Sequence, residues 1–171
     1  MATSVQARPI LGDSVKESRW YLDVRPVGTS GDTGWIPVGG LTEIKNGLET
    51  NEEDVSDQGQ LGWDYQQTTS RSHSIEGKVR RALTNTVPPE YDAGQNLIEA
   101  AAENTEDNRL EARIYEMGAV RQAAYKGIYL AKWENDGGAM NDLSTISFAL
   151  AGLGPREKIT HPAPISGGSS S

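Results

Sequence analysis

Beyond Arg109 the chain places apolar side chains at alternate positions through three successive segments, and this period of two most constrains what it can become. In RLEARIYEM, Leu110, Ala112 and Ile114 alternate with Arg109, Glu111, Arg113 and Tyr115 until Gly118 interrupts the run. AAYKGIYLAKW continues the alternation and puts Tyr125, Tyr129 and Trp133 on one side at a spacing of four. Asn135 to Gly138 (NDGG) is a turn, and DLSTISFALAGLG returns as a last strand with Ile146, Phe148 and Leu150 facing the core and Leu143 standing apart. A helix needs recurrence at three and four, so these segments are strands with one buried face.

The N-terminal half repeats the theme with interruptions. RWYLDVRP sets Trp20, Leu22 and Val24 against Tyr21, Asp23 and Arg25, and Pro26 ends the strand. VGTSGDTG is turn chemistry. TGWIPVGGLTEI resumes as a strand whose Pro37 and Gly39-Gly40 pair predict an edge position, a bulge or a close backbone approach. SHSIEGKVRRAL reads as a further strand, with His73 between two serines expected to face solvent. The one clear helix is in PPEYDAGQNLIEAAAEN, over 92–103. Asp92 is its N-cap, Gln95 three residues on suggests a capping box, and Asn104 is its stop. Its apolar stripe of Leu97, Ile98 and Ala101 is narrow, enough to cover a sheet face but not to build a bundle.

Between these elements, residues 46–71 read as a long acidic loop holding few bulky apolar groups, among them Trp63 and Tyr65. Irregular segments of this length are uncommon in a compact domain unless they are disordered or serve as a binding loop. Glu43 to Asp64 carries seven carboxylates against Lys45, a net of −6, whereas Arg71 to Arg81 carries four bases against Glu76, a net of +3. Opposite signs in neighbouring segments predict either a folded-back hairpin or complementary surfaces on different copies. A calcium loop starting at Asp54 would match at Ser56, Gln58 and Gly59 but would put Tyr65 where a bidentate Glu is required. A solvated or partner-binding loop is the better reading.

Other chemistry is sparse. There is no Cys, and His73 and His161 are the only histidines, so thiolate sites and two-histidine zinc motifs are missing. No GxSxG elbow or Walker loop occurs, and Gly152-Leu153-Gly154 is followed by Pro155 rather than by a helix. The 24 acids would supply a glycosidase pair only within an aromatic-walled cleft, which singly placed aromatics do not promise. Neither an enzyme nor a cofactor is expected. The net charge of −8 argues against a grip on nucleic-acid phosphates, and no apolar run approaches the ~20 residues of a membrane span. Synthesis as a soluble cytoplasmic protein is expected. The 171 residues make one domain with a lean core, 36% hydrophobic. Residues 1–18 read as an N-terminal arm, 19–160 as the β domain, and 161–171 as a flexible C-terminal tail within the Pro-, Gly- and Ser-rich end that begins at Pro155.

The order of these elements resembles the major tail tube proteins of long-tailed phages. The resemblance rests on GWIPVGGLTEI, the acidic segment after it, the D-x-G-Q-N-L start of the helix at Asp92 to Leu97, two long strands and the DLSTISFALAGLG ending, and it covers roughly residues 19–160. It implies a mainly β fold, a β-sandwich or small barrel flanked by one helix, with a long loop and terminal arms. It also implies rings of six copies that stack into a tube in the virion tail, tape measure, tail tip and tail terminator proteins as partners, and viral DNA passing through the lumen without being held. On that reading the loop meets a neighbouring subunit. Its interface candidates are Glu52, Glu53, Asp54 and Asp57, anchored by Trp63 or Tyr65, and facing bases such as Arg80 and Arg81 of another copy. A head decoration or tail-end ring protein, and more remotely a carbohydrate-binding β-sandwich, share these features.

Overall fold

The computed structural model describes residues 20–54, 66–81, 83–118, 121, 123–139 and 142–163, apart from the side chain of Gln66. Seven strands and one helix follow in chain order: β1 (Trp20–Arg25), β2 (Ile36–Pro37), β3 (Leu41–Asp54), β4 (Gln66–Arg80), α1 (Ala93–Glu103), β5 (Arg109–Glu116), β6 (Ala124–Asn135) and β7 (Thr145–Lys158). They form one antiparallel sheet in the order β2-β1-β5-β6-β7-β4-β3.

That order forces the sheet to curl. β2 and β3 lie at its opposite ends, yet only residues 38–40 separate them in the chain. In a flat sheet the outer strands would stand about 29 Å apart, six spacings of ~4.8 Å. Four Cα steps span at most about 15 Å. The two ends are therefore drawn together into a barrel-like wrap, and the linker is bonded to the strand beside each end: Arg80 N of β4 donates to Gly40 O at 2.8 Å, and Val38 N to Leu22 O of β1 at 2.9 Å. Gly40 turns at φ +71, and a Cβ there would lie 2.5 Å from the Arg80 carbonyl oxygen, so a side chain is excluded on both counts.

The first turn of α1 fastens this linker. Oδ2 of Asp92 accepts from Gln95 N (3.0 Å), capping the helix, and from Gly39 N (3.1 Å). Gln95 does not complete a capping box. Its Nε2 instead donates to Gly39 O (2.8 Å) and Arg80 O (3.2 Å), so one side chain bridges the linker and the end of β4. Asn104 is the C-cap. Ile98 is fully buried, with Leu97, Ala101 and Ala102 packed beside it.

Register explains the core. Leu22 and Val24 oppose Ile114 and Ala112, Leu110 opposes Tyr129, Trp133 opposes Phe148, and Ile75 and Val79 oppose Leu150 and Ile146, so the alternating apolar positions share the enclosed face. Fully burying each large apolar side chain is worth about 1.5–3 kcal/mol.

Four expectations need correcting. The stretch 46–71 is not an irregular loop over its described part. Residues 46–54 and 66–71 lie in β3 and β4, paired from Leu41↔Val79 out to Asp54↔Gln66. Beyond His73 neither face is covered, so polar residues occupy both and no alternation shows. The second face of β1 is also buried, because the turn of residues 26–35 folds beneath it and covers Asp23 and Arg25. His73 is buried on the core side rather than exposed. Finally, the segment after Gly154 is held as far as Ala163. β7 runs to Lys158, Ile159 N donates to Ala124 O (3.0 Å), and His161 is pinned by two bonds, donating to Glu116 O (2.7 Å) and accepting from Ala163 N (3.0 Å). The arm at 1–18 and residues 164–171 lie outside the described residues.

Candidate assembly surfaces

The outer face of β1 and β5 is an ionic and aromatic lattice. Arg25 donates to both oxygens of Glu111 (2.7 and 3.1 Å), and Nε of Arg113 donates to Asp23 (2.7 Å). The Trp35 ring lies beneath both guanidinium groups, 4.1 Å from Arg25 and 4.7 Å from Arg113, while its Nε1 donates to Asp32 (2.9 Å). Planar guanidinium groups suit such bidentate and stacked roles. These charges are consumed within the chain and leave little for a partner.

On the outer side of β3, β4, β7 and β6, a groove of about 570 Å³ has Glu43, Lys45, Glu76, Lys78, Lys132 and Glu134 among its lining residues. Register sets Glu43 against Lys78 and Lys45 against Glu76. Neither sign dominates, and adjacent opposite charges neutralise each other across the strands. Among the described residues, no group of three or more His, Asp or Glu side chains is arranged to hold a metal, and no helix is long and apolar enough to cross a membrane.

The surface with the least support from its own chain is the outer part of the β3–β4 hairpin. β4 pairs with β7 only from Ser74 to Arg80. Seven residues, 66–72, run past both that contact and the buried His73, which at ~3.3 Å per residue projects about 23 Å. Residues 48–54 and 67–72 are exposed on both faces. A lone two-stranded ribbon of this kind is marginal in water, and among the described residues no strand pairs with the outer edge of β3.

The predicted interface residues fall in three places. Glu52, Glu53 and Asp54 are together on this ribbon, exposed and opposite Thr68, Gln67 and Gln66. Asp57, Trp63 and Tyr65 lie outside the described residues. The two bases are at the far end of β4 and differ. Arg80 is exposed, but Arg81 donates two hydrogen bonds to Glu99 of α1 (2.8 and 2.5 Å) and stacks 4.1 Å above Tyr91. The Glu99 hydrogen bonds, opposed by burial, raise the pKa of Arg81, and the same bonds lower that of Glu99. Arg81 thus fastens α1 to the sheet, a role the sequence did not disclose because its partner lies 18 residues away across the helix.

No family model matches the chain, and no curated protein matches it. Its fold does match solved structures. The tail of an empty gene transfer agent particle, refined with helical and C6 symmetry, aligns with a TM-score of 0.55 at 15% identity over 82% of this chain and 95% of that one. The tail tube of SPP1 aligns at 0.57 and 16% identity, over 85% of this chain and 78% of that one. A chain of the six-fold symmetrised baseplate of the anti-feeding prophage aligns at 0.56 and 7% identity, over 90% and 100%. At such identities what is shared is the fold: one curled antiparallel sheet with a single helix, as in tail components of phages and phage-like particles.

Proposed function

We propose that this chain is a structural subunit of a phage-type tail tube, forming six-membered rings that stack into a conduit for DNA. The observation that carries the reading is the projecting ribbon of β3 and β4, whose residues 48–54 and 67–72 are exposed on both faces past the end of the β4–β7 pairing. Assembly covers such a ribbon and its open edge, and the shared fold with the C6-symmetric tail supports six as the number of copies. Tape measure, tail tip and tail terminator proteins are the partners such a tube requires, and the virion tail is its place.

Within the tube, the ribbon and its acids Glu52, Glu53 and Asp54 meet a neighbouring subunit, with Trp63 or Tyr65 of the connecting residues as anchor. Exposed ion pairs contribute only ~0–1 kcal/mol each, but repetition around a ring multiplies them, and salt weakens stacking. The lumen repels rather than binds DNA, consistent with −8 per subunit, because a repeated cationic stripe would hold a sliding polyanion. Light scattering and negative-stain microscopy of the purified protein test the assembly. Rings and tubes are expected, and a monomer that persists at high concentration, even with a nucleating tip complex, overturns the reading. The baseplate likeness favours a second reading, a tail-end ring, which the same images separate by showing single rings that never elongate.

A further inference from the structure

The end of β4 opposite the ribbon carries an apolar surface that no sequence motif marks. The turn after β4 satisfies its polar groups internally: Thr84 N donates to Glu90 O (2.7 Å), Glu90 N to Thr84 Oγ1 (3.1 Å) and Thr86 Oγ1 to Pro88 O (3.0 Å). Leu83 and Tyr91 close it as an antiparallel bridge. What this ordered turn offers to solvent is apolar, with Val87 98%, Leu83 58% and Tyr91 46% exposed. The turn between β6 and β7 is tied to it by the bond from Arg81 N to Ser144 O (2.9 Å), and there Leu143 is 68% exposed. Single exposed apolar residues are ordinary, but here four fall on two turns that are bonded to each other and held in place before any partner arrives.

Charge and position name the occupant. Arg80, the last residue of β4 before this turn, is exposed, and no carboxylate pairs with it among the described residues. The ribbon at the other end of the same strand has Leu48 52% exposed and presents Glu52 and Glu53. We infer that the Leu83–Val87–Tyr91–Leu143 surface is the seat for the β3–β4 ribbon of a second copy, with Arg80 facing its acids. The inference rests on the tail-tube reading and deepens it. Because seat and ribbon occupy opposite ends of β4, the contact is head-to-tail and repeats along the strand direction instead of closing on a pair.

The absence of cysteine permits a direct test. A chain carrying both Val87→Cys and Glu53→Cys is assembled and treated with a short bis-maleimide. The seat predicts a ladder of dimers, trimers and longer chains on a denaturing gel, and no ladder from either single variant. Val87→Asp, at a fully exposed position, is expected to keep the wild-type melting curve while lowering tube yield about tenfold, the effect of a 1.4 kcal/mol loss. Tubes that form without the ladder, together with unimpaired assembly of Val87→Asp, overturn the seat and leave the tube reading standing. Failure of the wild-type chain to form rings or tubes overturns the reading and the seat with it.

Discussion

The imidazole of His73 occupies the space that Gly152 leaves empty across the pairing of β4 and β7: a Cβ at Gly152 would lie inside contact distance of the ring. The ring cannot swing aside freely, for its Nε2 donates to Gly154 O (2.9 Å) and it packs edge-on against Tyr129 at 5.0 Å. Gly152→Ala is therefore expected to destabilise the fold by about 1–3 kcal/mol, as overpacking does. His73→Ala should remove most of that penalty. A double-mutant cycle by urea denaturation checks it, and additive losses contradict the packing argument.

Asp23 and Arg113 are both largely enclosed, joined at 2.7 Å beside Trp35. Asp23→Asn keeps the shape but strands a guanidinium whose other acid, Asp32, is exposed and 3.5 Å away. A loss of roughly 3 kcal/mol is expected from breaking a buried pair on one side. The urea midpoint measures it, and a change below experimental error refutes the ionic account of this face.

Acid should loosen α1. The Glu99 carboxyl is held below its ordinary 4.5, chiefly by the hydrogen bonds from Arg81, with burial opposing. A depressed carboxylate contributes stability above its unfolded pKa and loses it as pH falls through the folded value. The difference in melting temperature between wild type and Glu99→Gln should thus be constant from neutral pH to about 4.5 and shrink below it. A difference that grows on acidification has the wrong sign.

Alkali acts on Tyr129, whose phenol is pushed up to about 12, by burial first and against the pull of Arg156. The unfolded chain ionises near 10, so stability from the neutral phenol is present below 10 and drains away between 10 and about 12. Ultraviolet titration of wild type minus Tyr129→Phe should show one phenolate appearing near the upper value. Ionisation of that group near 10 in the folded protein counts against its burial.

What the sequence disclosed follows from which information is local. Asp92 was legible as a cap because its acceptor and the Gln95 N–H it binds lie three residues apart. Leu110, Ala112, Ile114, Ile146, Phe148 and Leu150 were legible because one face of β5 and of β7 is enclosed and lined by apolar groups while the other carries charged groups in β5 and small ones in β7. The outer hairpin was not, since its partner is its own second arm and both faces meet water. His73 was misread because its site is made by side chains missing from Gly127 and Gly152 on other strands. Of the candidate interface, the placement of Glu52 and Glu53 on the exposed part of β3 and of Arg80 at the far end of its partner β4 emerged only from register. The binding of Arg81 to Glu99 needed the helix to be placed.

The hairpin is rooted in the body by seven consecutive pairs, from Ser74↔Ala151 to Arg80↔Thr145. Antiparallel hydrogen bonds lie perpendicular to their strands, so a pull along β4 loads all of them at once, whereas a sideways pull would open them singly. A long object under bending puts its outer wall in tension along its length. In the tube proposed above, a ribbon lying along that axis would meet the strain in shear, and the same strand that reaches outward would carry the load back into the core.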